Sequence, residues 1–306
     1  MRDDDNLLST KLLAISSCYF NSYDNLLANN VFHYTNGSNL PFILKDGEFS
    51  FRMTLSNDFE DISEGKIIFS RYNDVLIDML CQGYIDKVLY ERIKDVTPLA
   101  FWIDNDESHF ISKNHMYVLC FTKQRNSTYM WNNYCSLYKE GVNIIIPTYL
   151  FHSEYMTIDD YPPSTKKPFY NFEIKKIVYL ESEQYQITYN RIKELIDCFK
   201  ESGTTSADDF DLLKYYISET LRHLQLVFKE SKYQPEDEIR VLFNITTNDE
   251  ESFKCVRTDN KGRRFVNLKI KNNFNGYKIQ KSPYFESNLD LSSYKTIDFS
   301  DVDYDY

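Results

Sequence analysis

Glycine is scarce in this chain of 306 residues, and its placement excludes two large classes of phosphate-binding loop. The eight glycines are Gly37, Gly47, Gly65, Gly83, Gly141, Gly203, Gly262 and Gly276. No two stand at G-x-G-x-x-G spacing, and none precedes a Lys-Ser/Thr pair. Rossmann and P-loop cradles both need glycines for close backbone approach, so neither is expected. Paired cysteines are missing as well. Cys18, Cys81, Cys120, Cys135, Cys198 and Cys255 contain no C-x-x-C, and no histidine sits at finger spacing. They read as reduced thiols of a cytosolic protein, without a disulfide framework or a metal site. No apolar run approaches the ~18 residues of a membrane span. The first ten residues, MRDDDNLLST, are acidic where a signal peptide is basic. Positive charge is in deficit: the net charge of −11 argues against passive binding along a nucleic-acid backbone but leaves room for a local basic pocket.

What the chain has in abundance is aromatic surface. There are 25 Tyr and 22 Phe, and apolar residues make up 42%, enough for a full-sized core. Short apolar β-prone runs at 31–34, 116–121, 142–146, 174–180 and 239–243 predict the strands of a central sheet. Further strands are expected at 253–256 and 265–270, joined by a turn at Asp259-Asn260-Lys261-Gly262. Helical spacing of apolar residues predicts helices within 7–27, over 73–94 with Asn73 or Asp74 as cap, over 189–200 and over 208–229. A short helix over 128–137 follows a cap at Asn126-Ser127, and Gly47 suits a helix C-cap. Residues 147–169, with Pro162, Pro163 and Pro168, read as a loop. The order predicts one α+β domain over 31–281 with a mixed or antiparallel central sheet and a helical insertion near 185–230. A helical extension (1–30) precedes it and an acidic, aromatic tail (282–306) follows.

Four clusters could carry chemistry. His33-Tyr34-Thr35 ends a buried strand, where binding sites often sit; the structural alternative is a core histidine bonded to a backbone carbonyl. Asn57-Asp58 with Glu60 follows the next strand. Met130-Trp131 with Tyr134 places two aromatics at i and i+3 of one helix. Lys229 precedes Glu236, Glu238 and Arg240, which alternate with Ile239, Val241 and Phe243 along a strand. Core-facing Ile239, Val241 and Phe243 leave the charged trio facing water or a cleft.

In this order the clusters resemble a large bacterial family, some of whose members are abortive-infection phage-resistance proteins of the AbiGi type. The resemblance covers about residues 31–245. It rests on H-Y-T with N-L-x-x-I-L-x-x-G, on Asn57-Asp58 with Glu60, on C-F-T, M-W-x-x-Y and G-V-x-I, and on F-K with E-x-E-x-R. Cys120, Thr122 and Ile239 depart from its pattern, which leads to expect two serines and an aromatic there. The opening also resembles ADP-ribosyltransferases of the His-Tyr-Glu type, including their DNA-modifying toxin branch. That second resemblance implies an ADP-ribosyltransferase-like fold that binds NAD as substrate. It further implies that His33 orients the ribose, that Tyr134 or Trp131 stacks on nicotinamide, and that Glu238 completes the catalytic site. Tyr34, Thr35, Trp131, Asn57, Asp58, Glu236, Arg240 and Lys229 would line the NAD site. A fixed carboxylate suits the cationic sugar that forms as the nicotinamide bond breaks. The leading expectation is therefore an NAD-consuming toxin or phage-defence effector, acting on a protein or nucleic-acid acceptor and controlled by an antitoxin or phage trigger. Two alternatives stand beside it: a non-catalytic antitoxin or sensor, and a metal-dependent nuclease using Asp58, Glu60, Glu236 and Glu238.

Overall fold

The computed structural model describes residues 3–18, 29–45, 47–59, 65–97, 114–135, 138–152, 154–161, 172–203, 206–246, 253–271, 276–286 and 288–297. The chain is mixed α and β and divides into two compact units. One comprises Met1–Ser22, Phe59–Phe110 and Ile177–Tyr233; the other comprises Tyr23–Asp58, Ile111–Lys176 and Gln234–Tyr306. The predicted insertion at 185–230 thus joins earlier segments in a unit of its own, where sequence order suggested one domain with an excursion.

The first unit is helical. Helix α1 spans Asp3–Cys18, and a short helix α2 (Leu40–Ile43) belongs to the other unit. Then come α3 (Ile67–Cys81) and α4 (Lys87–Ile93), whose spacing predicts one helix over 73–94. Two local signals break it. Gly83 takes φ +70°, a left-handed turn open to glycine. Asp86 then caps α4 by accepting the amide of Leu89 at 2.7 Å. Beyond α5 (Thr128–Tyr134, in the other unit), α6 (Glu181–Glu201) and α7 (Ala207–Gln225) complete the bundle, and Ser206 caps α7. Leu12, Ile68, Val75, Met79, Ile192, Leu195, Leu213 and Ile217 form its core.

The second unit is built on a 12-stranded sheet. Its strands are β1 (Asn30–Asn36), β2 (Leu44–Lys45), β3 (Glu48–Leu55), β4 (Asn114–Thr122), β5 (Gly141–Pro147), β6 (Met156–Ile158), β7 (Phe172–Lys176), β8 (Glu238–Thr246), β9 (Arg257–Thr258), β10 (Arg264–Lys271), β11 (Lys278–Lys281) and β12 (Thr296–Ile297). The main path runs β12-β11-β5-β1-β4-β3-β10-β6. All five predicted central strands are represented in the sheet, the run 174–180 only as far as Lys176; β8 joins the path at β4, and β7 pairs with β8. Ladders are antiparallel except β11 with β12, so the sheet is mixed. Gly47 closes the turn between β2 and β3 with φ +79°, where sequence suggested a helix cap. The expected strand at 253–256 is replaced by the shorter β9, and the 259–262 turn is present, with the Gly262 amide donating to the Asp259 carbonyl. Among the described residues no helix is long and apolar enough to cross a membrane.

The central feature is β4. On one edge it pairs with β8 along its whole length, from Asn114↔Thr246 to Thr122↔Glu238. Its other edge is divided: Tyr117 and Val118 pair with β3, and Thr122 pairs with Phe32 of β1. Among the described residues no strand pairs with Leu119, Cys120 and Phe121 on that side, so the sheet opens between β1 and β3.

The face of β1 that carries Phe32 and Tyr34 packs on α5. Tyr34 meets Trp131 edge-on at 4.7 Å, beside Met130, Cys135 and Ile145. The Tyr34 hydroxyl donates to the Gln124 carbonyl at 2.8 Å, also meets the Arg125 carbonyl, and accepts the Ser127 amide at 3.2 Å. Asn143, its register partner, donates to the Arg125 carbonyl at 2.9 Å, and Gln280 donates to Asn126 at 2.7 Å. One row of three strands therefore fixes the turn that starts α5. Tyr34→Phe leaves the ring packing and removes the hydroxyl from three backbone groups. Chemical denaturation should show a loss of about 1–3 kcal/mol, and an unchanged midpoint would mean that the clasp is redundant.

Candidate functional site: a crevice in the split sheet

Strand parity decides which predicted residues meet. Phe32, Thr122 and Glu238 share one register row, so they share a face of the sheet. His33 is one residue on from Phe32 and points the other way, as does Ile239 beside Glu238. The ring contacts agree: His33 lies 5.2 Å from Phe51 and 5.7 Å from Phe121, edge to face. Phe121 is the register partner of Ile239. His33 and Glu238 therefore lie on opposite faces, and the expected His33–Tyr134–Glu238 constellation is not assembled.

Glu238 is instead half of a buried ion pair. Arg240 Nε donates to its Oε1 at 2.7 Å, with the two side chains 2% and 5% exposed. Residues i and i+2 of one strand lean to the same face, and burial of one charge demands the other. Lys175, the register partner of Arg240, is also buried, and burial pushes its ammonium down to about 8 although Glu173 pulls it up. Tyr134 donates its hydroxyl to Glu236 Oε1 at 2.8 Å, while the Glu236 carbonyl accepts from Thr122. Trp131 is core. Asp58 accepts the Arg264 amide at 2.6 Å and its guanidinium at 3.0 and 3.1 Å, tying the end of β3 to the start of β10. Asn57 is exposed, and Glu60 lies outside the described residues. Lys229 belongs to the helical unit, where its ammonium lies 4.7 Å from the centroid of the Tyr233 ring.

His33 and Thr35 do line a crevice of about 660 Å³ where the sheet opens. Around them stand Asn39, Phe42 and Ile43 after β1, Ser50, Phe51 and Arg52 on β3, and Leu119 on β4. Arg257, Phe265 and Asn267 complete the lining. This is an ordinary size for a small-molecule site. His33 Nδ1 lies 3.3 Å from the Cys120 carbonyl, in the stretch of β4 without a strand neighbour on that edge. A carbonyl can only accept, so Nδ1 carries the proton and Nε2 is left as a lone-pair acceptor. The ring is half-buried. Burial pushes its pKa down to about 4, against the pull of the Cys120 bond, so it is neutral at pH 7. Asn39 donates to Thr35 Oγ1 at 2.9 Å and orients that hydroxyl. The carbonyl-bonded histidine and the site histidine are thus the same residue.

No protein-family model, curated protein or solved structure matches the chain. The resemblance stands on the motifs quoted for it. Among the described residues no group of three or more His, Cys, Asp or Glu side chains is placed to hold a metal ion, and Asp58 is engaged by Arg264. Arg52, Arg257 and Asn267 were not singled out from sequence. Alternation is the local signal for Arg52 and Asn267, which stand on the polar side of half-buried strands; Arg257 lies on a two-residue strand exposed at both positions.

Two expectations follow. The usual imidazole value is 6.5, so above that pH His33 adds no pH dependence; from 6.5 down to about 4 the unfolded chain binds a proton that the folded chain refuses. Stability should fall over that window by up to about 3 kcal/mol. His33→Asn retains a donor for Cys120 and loses the titration, so its stability profile should be flatter there; matching profiles would deny the burial. Glu238→Gln leaves the Arg240 guanidinium buried with a neutral partner, and should cost roughly 3–5 kcal/mol of stability. Thermal unfolding of the variant at the wild-type temperature would contradict the buried pair.

Proposed function

We propose that the chain is a nucleotide-binding component of a phage-defence system, and that the crevice between β1 and β3 takes NAD. The supporting observation is His33: a neutral imidazole, anchored by Nδ1, whose remaining polar atom is an acceptor suited to a ligand hydroxyl such as that of ribose. The crevice adds Asn39, Asn267, Ser50 and Thr35 as short polar groups and Phe42 and Phe51 as aromatic surface. An ADP-ribosyltransferase-like arrangement is a fold-level analogy, and activity must be argued from the site. Cleavage of the nicotinamide bond calls for a carboxylate beside the forming cation, and the described lining residues include no Asp or Glu. The reading favoured here is therefore recognition of NAD by a sensor or antitoxin-like protein, with Glu238 in a structural role.

Titration calorimetry with NAD, run beside an assay for released nicotinamide, tests this. Binding without release is the expected result, and His33→Asn should weaken it, by about tenfold for one lost hydrogen bond of this kind. Nicotinamide release by the wild-type chain would reinstate the NAD-consuming reading. Absence of NAD binding would remove both.

A further inference from the structure

The mouth of the crevice carries two arginines that are positioned by carboxylates yet not used up by them. Arg52 on β3 is the register partner of Asn267, and Arg257 on β9 is the register partner of Phe265, so the two flank β10. Both line the crevice. Neighbouring strands lie about 4.8 Å apart, which puts the two backbones about 10 Å apart across β10. Two side chains of this length close that gap. The Arg52 guanidinium sits 4.1 Å from the centroid of the Phe265 ring, which fixes its plane.

Each guanidinium is tied through a single nitrogen. Arg52 uses Nη1, 3.3 Å from Asp259; Arg257 uses Nη2, 2.6 Å from Asp160 and 3.5 Å from Asp159. The side chains stay 50% and 45% exposed. Two of these carboxylates, Asp259 and Asp159, have other partners. Asp259 accepts the amides of Lys261 and Arg263 and the Arg263 guanidinium at 2.9–3.0 Å, bonds that outweigh burial and hold its pKa below the usual carboxylate value. Asp159 is 2.8 Å from Lys269. A guanidinium offers five N–H donors, so each arginine keeps donors over. Phe42, 78% exposed, stands at the same crevice.

We propose that Arg52 and Arg257 form a diphosphate clamp at the mouth of the His33 crevice, which makes the ligand class nucleoside diphosphates and their esters. The planar guanidinium fork matches phosphate oxygens two at a time, and a pair of forks matches a pyrophosphate. Phe42 is the exposed aromatic against which a base can stack. The inference rests on the crevice being a nucleotide site, but the clamp has its own readout. As mere surface ion pairs these arginines would contribute little and would discriminate no ligand.

The test is titration calorimetry of the full chain at physiological ionic strength with NAD, ADP, adenosine, pyrophosphate and a short single-stranded oligonucleotide. Thermal unfolding of each variant checks the fold. ADP, NAD and pyrophosphate should bind, with adenosine weaker than ADP by roughly ten- to a hundredfold. Arg52→Gln and Arg257→Gln should each weaken ADP roughly tenfold or more and leave adenosine unchanged. Arg263→Gln is the control, because it removes the same charge from the same Asp259 without lining the crevice; ADP binding should persist. Equal loss in that control, or equal affinity for ADP and adenosine, overturns the clamp. So does the absence of binding by any phosphate probe. Arginine-dependent binding of the oligonucleotide alone would also overturn it, by assigning the pair to a polymer. Arginine-dependent binding of ADP and pyrophosphate without NAD would sink the NAD reading and leave the clamp standing.

Discussion

The division of one edge of β4 between two neighbours is the constraint on which the rest depends. A strand with a full ladder on both sides leaves no room between them. Here the β8 ladder is complete, while β3 takes Tyr117 and Val118 and β1 takes Thr122. The carbonyl of Cys120 falls in the gap. The His33 imidazole meets that carbonyl at 3.3 Å. That one contact fixes the tautomer, holds the ring against Phe51 and Phe121, and opens the crevice on its far side. The side chain that meets β4 in this gap is also the one that lines the crevice.

The same sheet explains why the charged residues are distributed as they are. A two-residue period sends His33 and Ile239 to one face and Tyr34, Glu238 and Arg240 to the other. On the second face the charges are buried and must be compensated in place, which the 2.7 Å Glu238–Arg240 pair does. On the β3–β10 ribbon the charges are half-exposed and held at one nitrogen each, so they stay available. Burial with full engagement points to structure; exposure with partial engagement, beside a cavity, points to recognition.

Much of the sheet was legible in the sequence. The runs 31–34, 116–121, 142–146, 174–180 and 239–243 are short, apolar and β-prone; four lie in the sheet, and the run 174–180 does so only as far as Lys176. His33 and Thr35 were legible as lining because a polar residue at the end of such a run has few other places to go. The helix break at Gly83 was written in the Gly83–Asp86 pair and was hidden by an apolar stripe that continues across it. Glu238 could not be judged from its own strand. Whether E-x-E-x-R faces a cleft or a packed layer depends on the register Phe32↔Thr122↔Glu238, a relation between three strands with no local signature. Arg52 and Arg257 were invisible for the same reason: their convergence exists only once β3 and β9 are set on either side of β10.

The register also limits how the chemistry can change. To bring a carboxylate to His33, evolution could not slide β8 by one residue, because that would carry Ile239, Val241 and Phe243 out of the core and both charges of the ion pair into it. The accessible route is substitution at a position already facing the crevice. Ser50 and Asn267 are such positions, on strands whose core residues Phe49, Val266 and Leu268 do not line the crevice. A carboxylate at either would stand beside Arg52 and not be stranded in an apolar layer. The present lining carries no carboxylate and two arginines, which is what the proposed recognition of an anionic ligand requires.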